Sequence, residues 1–501
     1  MVAINSSDDD SVKMPLLAGL LSHAQEGYMS CHTPGHKQGL GSLAEWRQLL
    51  GEMVFQLDLT ELPGLDNLHD AQGIIGGAQR AAADYFGAKE TFFLVNGTSA
   101  GILAVLLAEC LTKSKVLLPR TSHQTVIHGL ILCGAQPVYL PVESDAALGL
   151  PGAVRTADLE KALATLDEQA LVVLPSHSNW DAAHQHNCTV LVDEAHGAHF
   201  KTSPFFPMPA LRAGADYAAQ GAHKVLGSFT QSAYLHCQGE HDLDAIRDAL
   251  RLVQSSSPSY LLMASLDVAR YQCEQEEGQW EMAVRQVGQL RQRISQIDGV
   301  SAPGEEMLQV PGVVEYDPTR LVINVRELGI TGFDAADWLR RECGILVEMA
   351  DFQNLILILG PANDIEDMEK LYQALSSMAG ACAGGSLSDR PLLPDPLQLP
   401  IPTQVLTPRE AYFAPHTLVP WDAALGKTAP RCSGHLSGGK NRGRGHWFFA
   451  RVGDGRWCVA RKEQGLDQDC CRELKWWKTE AKENLSHLKA LMGRERLHKF
   501  S

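Results

Sequence analysis

Two stretches of the chain carry residues that could do chemistry together. The first, residues 189–200, begins with a β-branched apolar run and brings Asp193 to the end of that run. Such a run predicts a buried parallel strand that presents the carboxylate at its carboxyl end. The second, residues 221–228, places His223 and Lys224 in a loop of small residues. A lysine that bonds to an aldehyde and a carboxylate that keeps a pyridine nitrogen protonated are the two anchors that pyridoxal phosphate requires.

The elements around these stretches alternate between strand and helix. The predicted strands cover residues 92–95, 116–118, 138–140, 171–174 and 189–192, and the predicted helices cover residues 15–27, 77–86, 102–111 and 123–133. This alternation is typical of a mostly parallel sheet with helices on both faces, which is an α/β fold. Ligands of such sheets bind beyond the carboxyl ends of the strands.

A second, smaller α+β domain is predicted to follow. A long helical stretch, residues 261–297, leads to predicted strands at 321–325, 345–349 and 355–359 and to helices at 333–343 and 364–378. A stretch rich in Gly, Ser and Pro, residues 380–403, predicts a linker. We therefore divide the chain into a large domain (1–250, with an N-terminal segment 1–75), a small domain (251–385), a linker with the start of a C-terminal domain (386–427) and a tail (428–501).

Composition limits the class of protein. Of 501 residues, 45% are hydrophobic and 20% are charged, which is typical of a globular protein. No apolar run is long enough for a membrane span, and the acidic start is unlike a secretory signal. The twelve cysteines have no framework spacing, which favours a cytoplasmic protein.

Charge is unevenly distributed along the chain. The tail holds 16 basic and 8 acidic residues, whereas the other 427 residues hold 27 basic and 51 acidic ones. The acidic body is not expected to bind nucleic acid.

Five motifs, in the same order along the chain, resemble those of the ornithine/lysine/arginine decarboxylases. They are residues 31–37 (Cys-His-Thr-Pro-Gly-His-Lys), 93–98 (Phe-Leu-Val-Asn-Gly-Thr), 191–200 (Leu-Val-Asp-Glu-Ala-His-Gly-Ala-His-Phe), 223–231 (His-Lys-Val-Leu-Gly-Ser-Phe-Thr-Gln) and 257–260 (Ser-Pro-Ser-Tyr). The similarity spans residues 15–427. It implies an aminotransferase-like fold (fold type I) with a mostly parallel seven-stranded sheet, in the short form without an N-terminal wing domain.

The resemblance implies roles around the cofactor, pyridoxal 5'-phosphate. Lys224 would bond to the cofactor covalently, Asp193 would pair with its ring nitrogen, and His123 would stack on its ring. His196 would support the ring from the side of the aspartate. His223 would lie beside the reacting carbon.

The resemblance also implies two groups of phosphate ligands. Ser99 and Ala100 lie in a turn, residues 96–101, where free N–H groups at the start of a helix favour phosphate, although an ordinary helix cap would explain the turn equally. Ser256 and Ser257 would reach the phosphate of a neighbouring subunit. The expected assembly is a homodimer or a multiple of dimers.

The implied reaction removes the α-carboxylate of arginine, lysine or ornithine and yields carbon dioxide and the amine of polyamine metabolism. A proton returned by His223 or Lys224 would complete it. Two alternatives stay open. One is an impaired or inactive member that keeps the fold and the cofactor, and the other is a different pyridoxal phosphate reaction such as transamination.

Other candidate residues have an equally good structural explanation. Three histidines suit either a functional or a structural role: His36, His69 and His199. Glu348 suits either contact with the cationic end of the substrate or an exposed sheet edge. Cys432 and His435 have a ligand-like spacing, but no second pair matches it, so no metal site is expected.

Two departures from the family pattern lie near the site. The family has Ser-x-His-Lys where this chain has Gly221, so a hydroxyl expected on the phosphate is missing, at a cost of about 1.5–3 kcal/mol in cofactor retention. A crossover of only 13 residues, 176–188, joins two predicted parallel strands, which is close to the minimum for such a connection. Part of the wall of the site is expected to be absent.

The third departure is the tail. The family pattern ends at Lys427, and the residues beyond it hold four of the nine tryptophans and four of the twelve cysteines. A change of reading frame near Lys427 would explain this shift. Basic and aromatic residues alternate in 442–449, as in a nucleic-acid patch, but partly disordered sequence is the explanation we favour.

Overall fold

The structure is a computed structural model, and it describes residues 13–110, 114–145, 147–166, 170–175, 180–382, 404–415, 447–451 and 457–461. The helices are α1 (Pro15–Gln25), α2 (Ala44–Leu50), α3 (Glu52–Leu57), α4 (Ile74–Phe86), α5 (Gly97–Glu109), α6 (Gln124–Cys133), α7 (Thr156–Leu163), α8 (Trp180–Gln185), α9 (Ala222–Val225), α10 (Leu243–Val253), α11 (Tyr260–Gln275), α12 (Glu277–Ile294), α13 (Gly332–Glu342), α14 (Ile365–Cys382) and α15 (Pro408–Phe413). The strands are β1 (Glu90–Leu94), β2 (Lys115–Pro119), β3 (Gln136–Leu140), β4 (Ser144–Asp145), β5 (Leu150–Pro151), β6 (Ala170–Leu174), β7 (Thr189–Asp193), β8 (Tyr217–Gln220), β9 (Ala233–Cys237), β10 (Arg320–Asn324), β11 (Met349–Ala350), β12 (Asn354–Ile358), β13 (Trp447–Arg451) and β14 (Trp457–Arg461).

A seven-stranded sheet organises the first of two compact units. Its strand order is β1-β9-β8-β7-β6-β2-β3. The strands from β8 to β3 pair in parallel, whereas β9 runs antiparallel to both β1 and β8. The prediction of a mostly parallel α/β sheet is confirmed, and the five predicted strands are found within two residues of their predicted bounds.

Strand β1 illustrates how sequence alternation builds the two hydrophobic layers of this unit. Phe92 and Leu94 pack with α5, α6 and α10 on one face, while Phe93 packs with α1, α4 and α11 on the other. Successive side chains of a strand point to opposite faces. Because both faces are covered by helices, the central strands are almost continuously apolar.

Strands β6 and β7 test the predicted short crossover. They pair in parallel, and the described part of the connection contains only the six-residue helix α8. Residues 176–179 of the crossover lie outside the described residues. A helix of fewer than two turns is what so short a connection allows.

The second unit contains a three-stranded antiparallel sheet of order β10-β12-β11. Its core is formed by this sheet with α13, α14 and the later part of α12. The predicted strand at 345–349 is present only as Met349–Ala350. Gly344 has a φ of +64°, and the N–H of Ile345 donates to the carbonyl of Leu339, so these residues cap a helix instead of pairing.

Each of the two units contains several separate segments of the described chain, so no single boundary separates them. The first contains residues up to 140, then 154–282 and 314–317, and the second contains 141–153, 283–313 and the residues from 318 onward. The predicted helix at 261–297 is two helices, α11 and α12, separated at Glu276. The domain boundaries at 250, 385 and 427 stay predictions.

The predicted tail and linker are described only in part. Strands β13 and β14 pair antiparallel. The linker residues 386–403, the segment 416–446 with Cys432 and His435, and residues 462–501 lie outside the described residues. Among the helices that the structure describes, none combines the length and the apolar character that a membrane crossing needs.

Candidate active site

Asp193 is the last residue of β7, at the carboxyl end of a central strand. Its Oδ1 atom is buried and has no hydrogen-bond partner in the described part of the chain. Burial raises the pKa of the Asp193 carboxyl, while the charges of His123 and Lys224 and the N–H of Ala195 lower it. A buried carboxylate oxygen without a donor is costly. The position therefore suits a ligand that brings a protonated ring nitrogen.

Lys224 lies in α9, the single helical turn that follows β8. Its Nζ atom is 3.2 Å from Nε2 of His196, whose side chain is exposed. Asp193 pairs with Ala219 of β8, the strand that leads into this turn, and the charge of Lys224 lowers the pKa of Asp193. The structure thus brings together Lys224, Asp193 and His196. His196 contacts the lysine and also lies just after the strand that ends at Asp193.

His223 is held through its backbone-facing nitrogen. Nδ1 is 2.9 Å from the carbonyl oxygen of Ser232. A carbonyl oxygen only accepts hydrogen bonds, so Nδ1 carries the proton and donates. In the neutral ring Nε2 then has a lone pair, which can accept a proton and later return it.

Gly221 begins the loop that carries Lys224. Its N–H donates to the carbonyl of Ala195 at 3.2 Å. A Cβ atom on Gly221 would lie 2.7 Å from the same carbonyl oxygen, a separation that real Cβ atoms do not tolerate. A serine here would require the two segments to move apart. Glycine at position 221 therefore lacks the hydroxyl of the family pattern, and it allows the backbone of this loop to lie directly against Ala195.

The predicted phosphate turn is the first turn of α5, which begins at Gly97 and not at residue 102. The side chain of Asn96 makes no capping hydrogen bond, and the N–H of Gly97 donates to the carbonyl of Gln231. Helix geometry leaves the N–H groups of Thr98 and Ser99 without an intrahelical acceptor. These groups, with the positive end of the helix dipole, suit a phosphate.

The backbone N–H of Ala100 differs from that of Ser99 in having an acceptor inside the helix. Ala100 is the fourth helical residue, so its N–H is the first with an acceptor inside the helix. Ala100 is fully buried. Thr98 was not singled out from the sequence, because its contribution depends on where the helix begins.

A short hydrogen-bonded chain joins the phosphate turn to His123. The Ser99 hydroxyl is 3.0 Å from Oγ1 of Thr125, which is 2.8 Å from Nδ1 of His123. The N–H of Thr125 also donates to this Nδ1 atom at 3.3 Å, so Nδ1 is an acceptor. Thr125 thereby fixes the ring of His123 at the start of α6, and the sequence offered no signal for this role.

Ser256 and Ser257 lie apart from these residues. Both are exposed in the loop between α10 and α11. Within the described ranges, neither hydroxyl is hydrogen-bonded to another predicted site residue, while the N–H of Ser257 donates to Oγ of Ser255. Their predicted role toward a neighbouring subunit stays a prediction.

The three ambiguous histidines each have a protein partner. Nε2 of His36 is 3.1 Å from Oδ2 of Asp58, and Nε2 of His69 is 2.9 Å from the carbonyl of Ser255. Fully buried His199 is 3.0 Å from Oδ2 of Asp317. It also stacks on the ring of Trp280, with the two ring centroids 4.8 Å apart. These contacts explain the histidines structurally.

Glu348 belongs to the second unit and is exposed. Its backbone N–H donates to the carbonyl of Ile356 at 3.0 Å. Its predicted contact with the substrate stays a prediction.

The residues present fit pyridoxal phosphate. The test is the donor set of the structure itself: a buried carboxylate oxygen that lacks a donor in the described part of the chain, an amine in the turn after the neighbouring strand, and a helix start whose cap residue makes no side-chain hydrogen bond. These match a protonated pyridine nitrogen, an aldehyde and a phosphate, respectively. Asp193, Lys224 and the first turn of α5 would hold the three groups.

Comparison with known proteins agrees with this geometry. A family model described as "Orn/Lys/Arg decarboxylase, major domain" matches residues 14–367. The chain belongs to the Orn/Lys/Arg decarboxylase family. As a member of this family it is a pyridoxal-phosphate-dependent amino-acid decarboxylase, and the family predicted from the five motifs is confirmed.

Relatives of the decarboxylase include two bacterial proteins of similar length. The chain is 36% identical over 428 residues to the arginine decarboxylase of Bacillus subtilis, covering 82% of this chain and 86% of that protein. It is 35% identical over 427 residues to the arginine decarboxylase of Halalkalibacterium halodurans, covering 83% of this chain and 86% of the relative.

Solved structures support the fold of the decarboxylase. Lysine decarboxylase A from Pseudomonas aeruginosa matches with a TM-score of 0.67 and 20% identity over 80% of this chain and 69% of that chain. The Francisella novicida lysine decarboxylase matches with a TM-score of 0.66 and 19% identity over 76% of this chain. The chain spans 62% of the length of the Francisella protein. At these identities the likeness shows the fold alone.

Proposed function

We propose that this decarboxylase removes the α-carboxylate of arginine, producing carbon dioxide and the corresponding amine. The observation that carries the proposal is the buried Oδ1 of Asp193, which has no hydrogen-bond partner in the described part of the chain. Its strand pairs with β8, which leads into the helical turn of Lys224. Arginine is preferred over lysine and ornithine because relatives named arginine decarboxylase are 33–36% identical over 82–83% of the chain. The relative named lysine decarboxylase from Pseudomonas aeruginosa is 29% identical over 51% of it.

The residues of this chain divide the work. When bound, pyridoxal phosphate supplies an aldehyde for the amine and a ring that accepts electrons. Lys224 anchors the aldehyde, and the carboxylate of Asp193 keeps the ring nitrogen protonated. Nε2 of His223, opposite the nitrogen that donates to Ser232, holds or returns the proton that replaces the carboxylate. The first turn of α5 orients the phosphate.

The test is release of carbon dioxide by protein loaded with pyridoxal phosphate. Arginine, lysine and ornithine are compared at equal concentrations, with Lys224→Ala as the control that cannot anchor the cofactor. We expect carbon dioxide and amine from arginine at a higher kcat/KM than from the other two. Turnover of lysine or ornithine in preference to arginine would contradict the substrate assignment, and no carbon dioxide from any of them would contradict decarboxylation.

A second candidate is a protein that binds the cofactor without turnover. Gly221 favours it, because this position has no room for a side chain and so offers no hydroxyl to the phosphate. The same assay decides between the candidates. A visible absorbance band of the bound cofactor that is lost in Lys224→Ala, with no carbon dioxide and no keto acid formed, would support this candidate.

We also infer that the working unit is a homodimer. Helix α2 has no buried residue. The apolar side chains on and around it are well exposed, with Leu43 at 76%, Leu49 at 74% and Met53 at 50%. An apolar surface of this kind marks a site of association, and the exposure of Ser256 and Ser257 is consistent with the proposed role toward a neighbouring subunit. The predicted cytoplasmic location stays a prediction.

A further inference from the structure

Glu194 is a buried carboxylate that follows Asp193 directly and has no role in the chemistry described above. Its exposed fraction is 6%. Oε1 accepts a hydrogen bond from the N–H of Ala210 at 2.9 Å, and Oε2 accepts one from Nε2 of Gln220 at 2.7 Å. Gln220 is the last residue of β8, four positions before Lys224. Glu194 therefore joins the segment that carries one cofactor anchor to the segment that carries the other.

The bond to Gln220 is the end of a buried hydrogen-bonded chain. Oε1 of Gln220 is 3.1 Å from Nε2 of His236, and Nδ1 of His236 is 2.8 Å from the hydroxyl of Thr91. The three side chains are 3% or less exposed. Thr91, His236, Gln220 and Glu194 belong to β1, β9, β8 and the end of β7, which are neighbours in the sheet. The chain thus crosses four adjacent strands and ends beside the active site.

The directions of these hydrogen bonds follow from chemistry. Burial lowers the pKa of His236 to about 3, so its ring is neutral. The amide oxygen of Gln220 only accepts, so Nε2 of His236 carries the proton and Nδ1 accepts from Thr91. Every donor in the chain then points toward Glu194.

Two backbone contacts flank the bond between Glu194 and Gln220. Asp193 pairs with Ala219 in the sheet, and the N–H of Gly221 donates to the carbonyl of Ala195 at 3.2 Å. The latter contact leaves no room for a Cβ on Gly221. Three successive links therefore connect the Asp193 segment to the Lys224 loop, and only the middle link is made by side chains.

We propose that Glu194 is a positioning residue that, through Gln220, fixes the separation between Asp193 and Lys224 and thereby the affinity for the cofactor. The proposal rests on the proposed function only in taking these two residues as the cofactor anchors. Removing the link would let the loop shift, and shifts of about 1 Å in a binding constellation are enough to impair it.

Substitutions can distinguish the effect of the hydrogen bond between Glu194 and Gln220 from the effect of the charge of Glu194. Burial raises the pKa of Glu194 to about 7, against the bonds from Gln220 and Ala210 that lower it, so a neutral group is compatible with the site. In Glu194→Gln the direction of the hydrogen bonds from Thr91 to residue 194 can reverse. The amide of Gln220 flips, and neutral His236 takes its other tautomer and donates to Thr91. Glu194→Ala and Gln220→Met break the link, and the second of these preserves side-chain volume.

The experiment measures the dissociation constant of pyridoxal phosphate by titrating cofactor-free protein and following its visible absorbance. We expect Glu194→Ala and Gln220→Met to bind the cofactor at least about tenfold more weakly, as loss of a hydrogen bond to a buried charged group implies. Glu194→Gln should stay within about threefold of the wild type, since the N–H of Ala210 and the amide of Gln220 both stay hydrogen-bonded. In assays at saturating cofactor, kcat should fall in the first two variants while KM for the amino acid changes little.

The control is Glu109→Gln. Glu109 accepts a hydrogen bond from Tyr217, the first residue of β8, at 2.5 Å and lies 3.5 Å from His241. In this variant a neutral amide oxygen replaces the charged acceptor and the charge facing His241 is lost, so the same strand is held more weakly at its other end. It should lower the unfolding midpoint of the cofactor-free protein without changing the dissociation constant of the cofactor. If Glu194 had a purely structural role, Glu194→Ala and Gln220→Met would likewise lower the unfolding midpoint and leave the dissociation constant of the cofactor unchanged.

Three outcomes would overturn the proposal. They are wild-type cofactor affinity in folded Gln220→Met, equal losses in Glu109→Gln and Gln220→Met, or a loss in Glu194→Gln as large as that in Glu194→Ala. If Glu194→Ala does not fold, Gln220→Met decides. Wild-type protein that binds the cofactor but releases no carbon dioxide would refute the proposed function and leave this test intact.

Discussion

At the scale of single residues, Asp193 combines an electrostatic cost with the proposed function of pairing with the cofactor ring. Its buried Oδ1 has no donor of its own in the described chain, and burial raises its pKa. Such a group destabilises the cofactor-free protein when it is ionised. The same desolvation strengthens its attraction for a protonated ring nitrogen.

Asp193→Asn should therefore have opposite effects on stability and on turnover. We expect kcat to fall about a hundredfold or more, as for other losses of a preorganised charge in an active site. We expect the free energy of unfolding of the cofactor-free protein to rise by about 1 kcal/mol, because a neutral amide replaces a carboxylate whose buried Oδ1 has no hydrogen-bond partner in the described part of the chain. Denaturant unfolding without cofactor and steady-state rates with cofactor measure the two effects. A fall in both quantities would show that Asp193 is needed for folding.

At the scale of elements, α1 depends on a side chain from a distant helix. Its first residue is a proline and its own cap residue makes no side-chain bond. Oδ2 of Asp267, in α11, accepts from the N–H of Leu16 at 2.9 Å and from that of Leu17 at 3.4 Å. Oδ1 of Asp267 also accepts from Arg270 at 2.9 Å. A fully buried carboxylate thus caps the helix from outside.

Asp267→Asn should loosen α1 and destabilise the fold. The neutral amide cannot satisfy both the helix start and Arg270, so we expect the free energy of unfolding to fall by about 3 kcal/mol, as for other broken buried ion pairs. Limited proteolysis should cut near residues 15–25 before the remainder of the protein unfolds. Asp248→Asn removes an exposed partner of Arg251 and should change the free energy by less than about 1 kcal/mol. Equal effects of the two substitutions would contradict this assignment.

A second element-scale feature is the cluster at the start of β8. His241 lies 3.1 Å from Asp216 and 3.5 Å from Glu109, and Asp216 also pairs with His184 at 3.0 Å. The hydrogen bonds to Asp216 and Glu109 raise the pKa of His241 to about 9. This stabilisation is fully present below the ordinary histidine pKa and is lost as pH rises through the folded-state pKa.

His241→Gln should remove this pH dependence, because glutamine does not titrate. The wild-type free energy of unfolding should fall relative to that of the variant by about 1–2 kcal/mol between about pH 6.5 and pH 9, after allowance for solvent screening. Urea titrations at three pH values in this window measure it. A difference that is constant with pH would mean that His241 is not held in its charged form.

At the scale of the whole molecule, the inferred homodimer predicts that a charge on α2 weakens the association of the two subunits. Leu49→Arg places a charge within the exposed apolar surface of α2, and a buried unpaired charge is costly at an interface. We expect sedimentation to show a dimer for the wild type and a shift toward monomer for this variant. Leu252→Arg, at an apolar residue of α10 that is 79% exposed, should leave the dimer intact. A wild-type monomer at micromolar concentration would contradict the inference.

Much of the fold and the site could be predicted from sequence because the signals are local. The apolar run of β7 ends at Asp193, and a loop of small residues holds Lys224, so strand, acid and lysine follow from neighbouring residue types. Strands β8 and β9 were not predicted. The sequence Tyr-Ala-Ala-Gln of β8 has little β propensity, and its strand conformation comes from pairing with β7 and β9.

The sequence by itself determined the family and the alternation of strands and helices, and it supplied the prediction that Asp193 and Lys224 anchor the cofactor. Only the tertiary structure decided that α5 begins at Gly97, that Gly221 packs against Ala195, and that Thr91 is linked through His236 and Gln220 to Glu194. Periodicity and motifs depend on residues close together in the chain. Burial and hydrogen-bond partners depend on the register of strands that are far apart in the chain, which no local pattern contains.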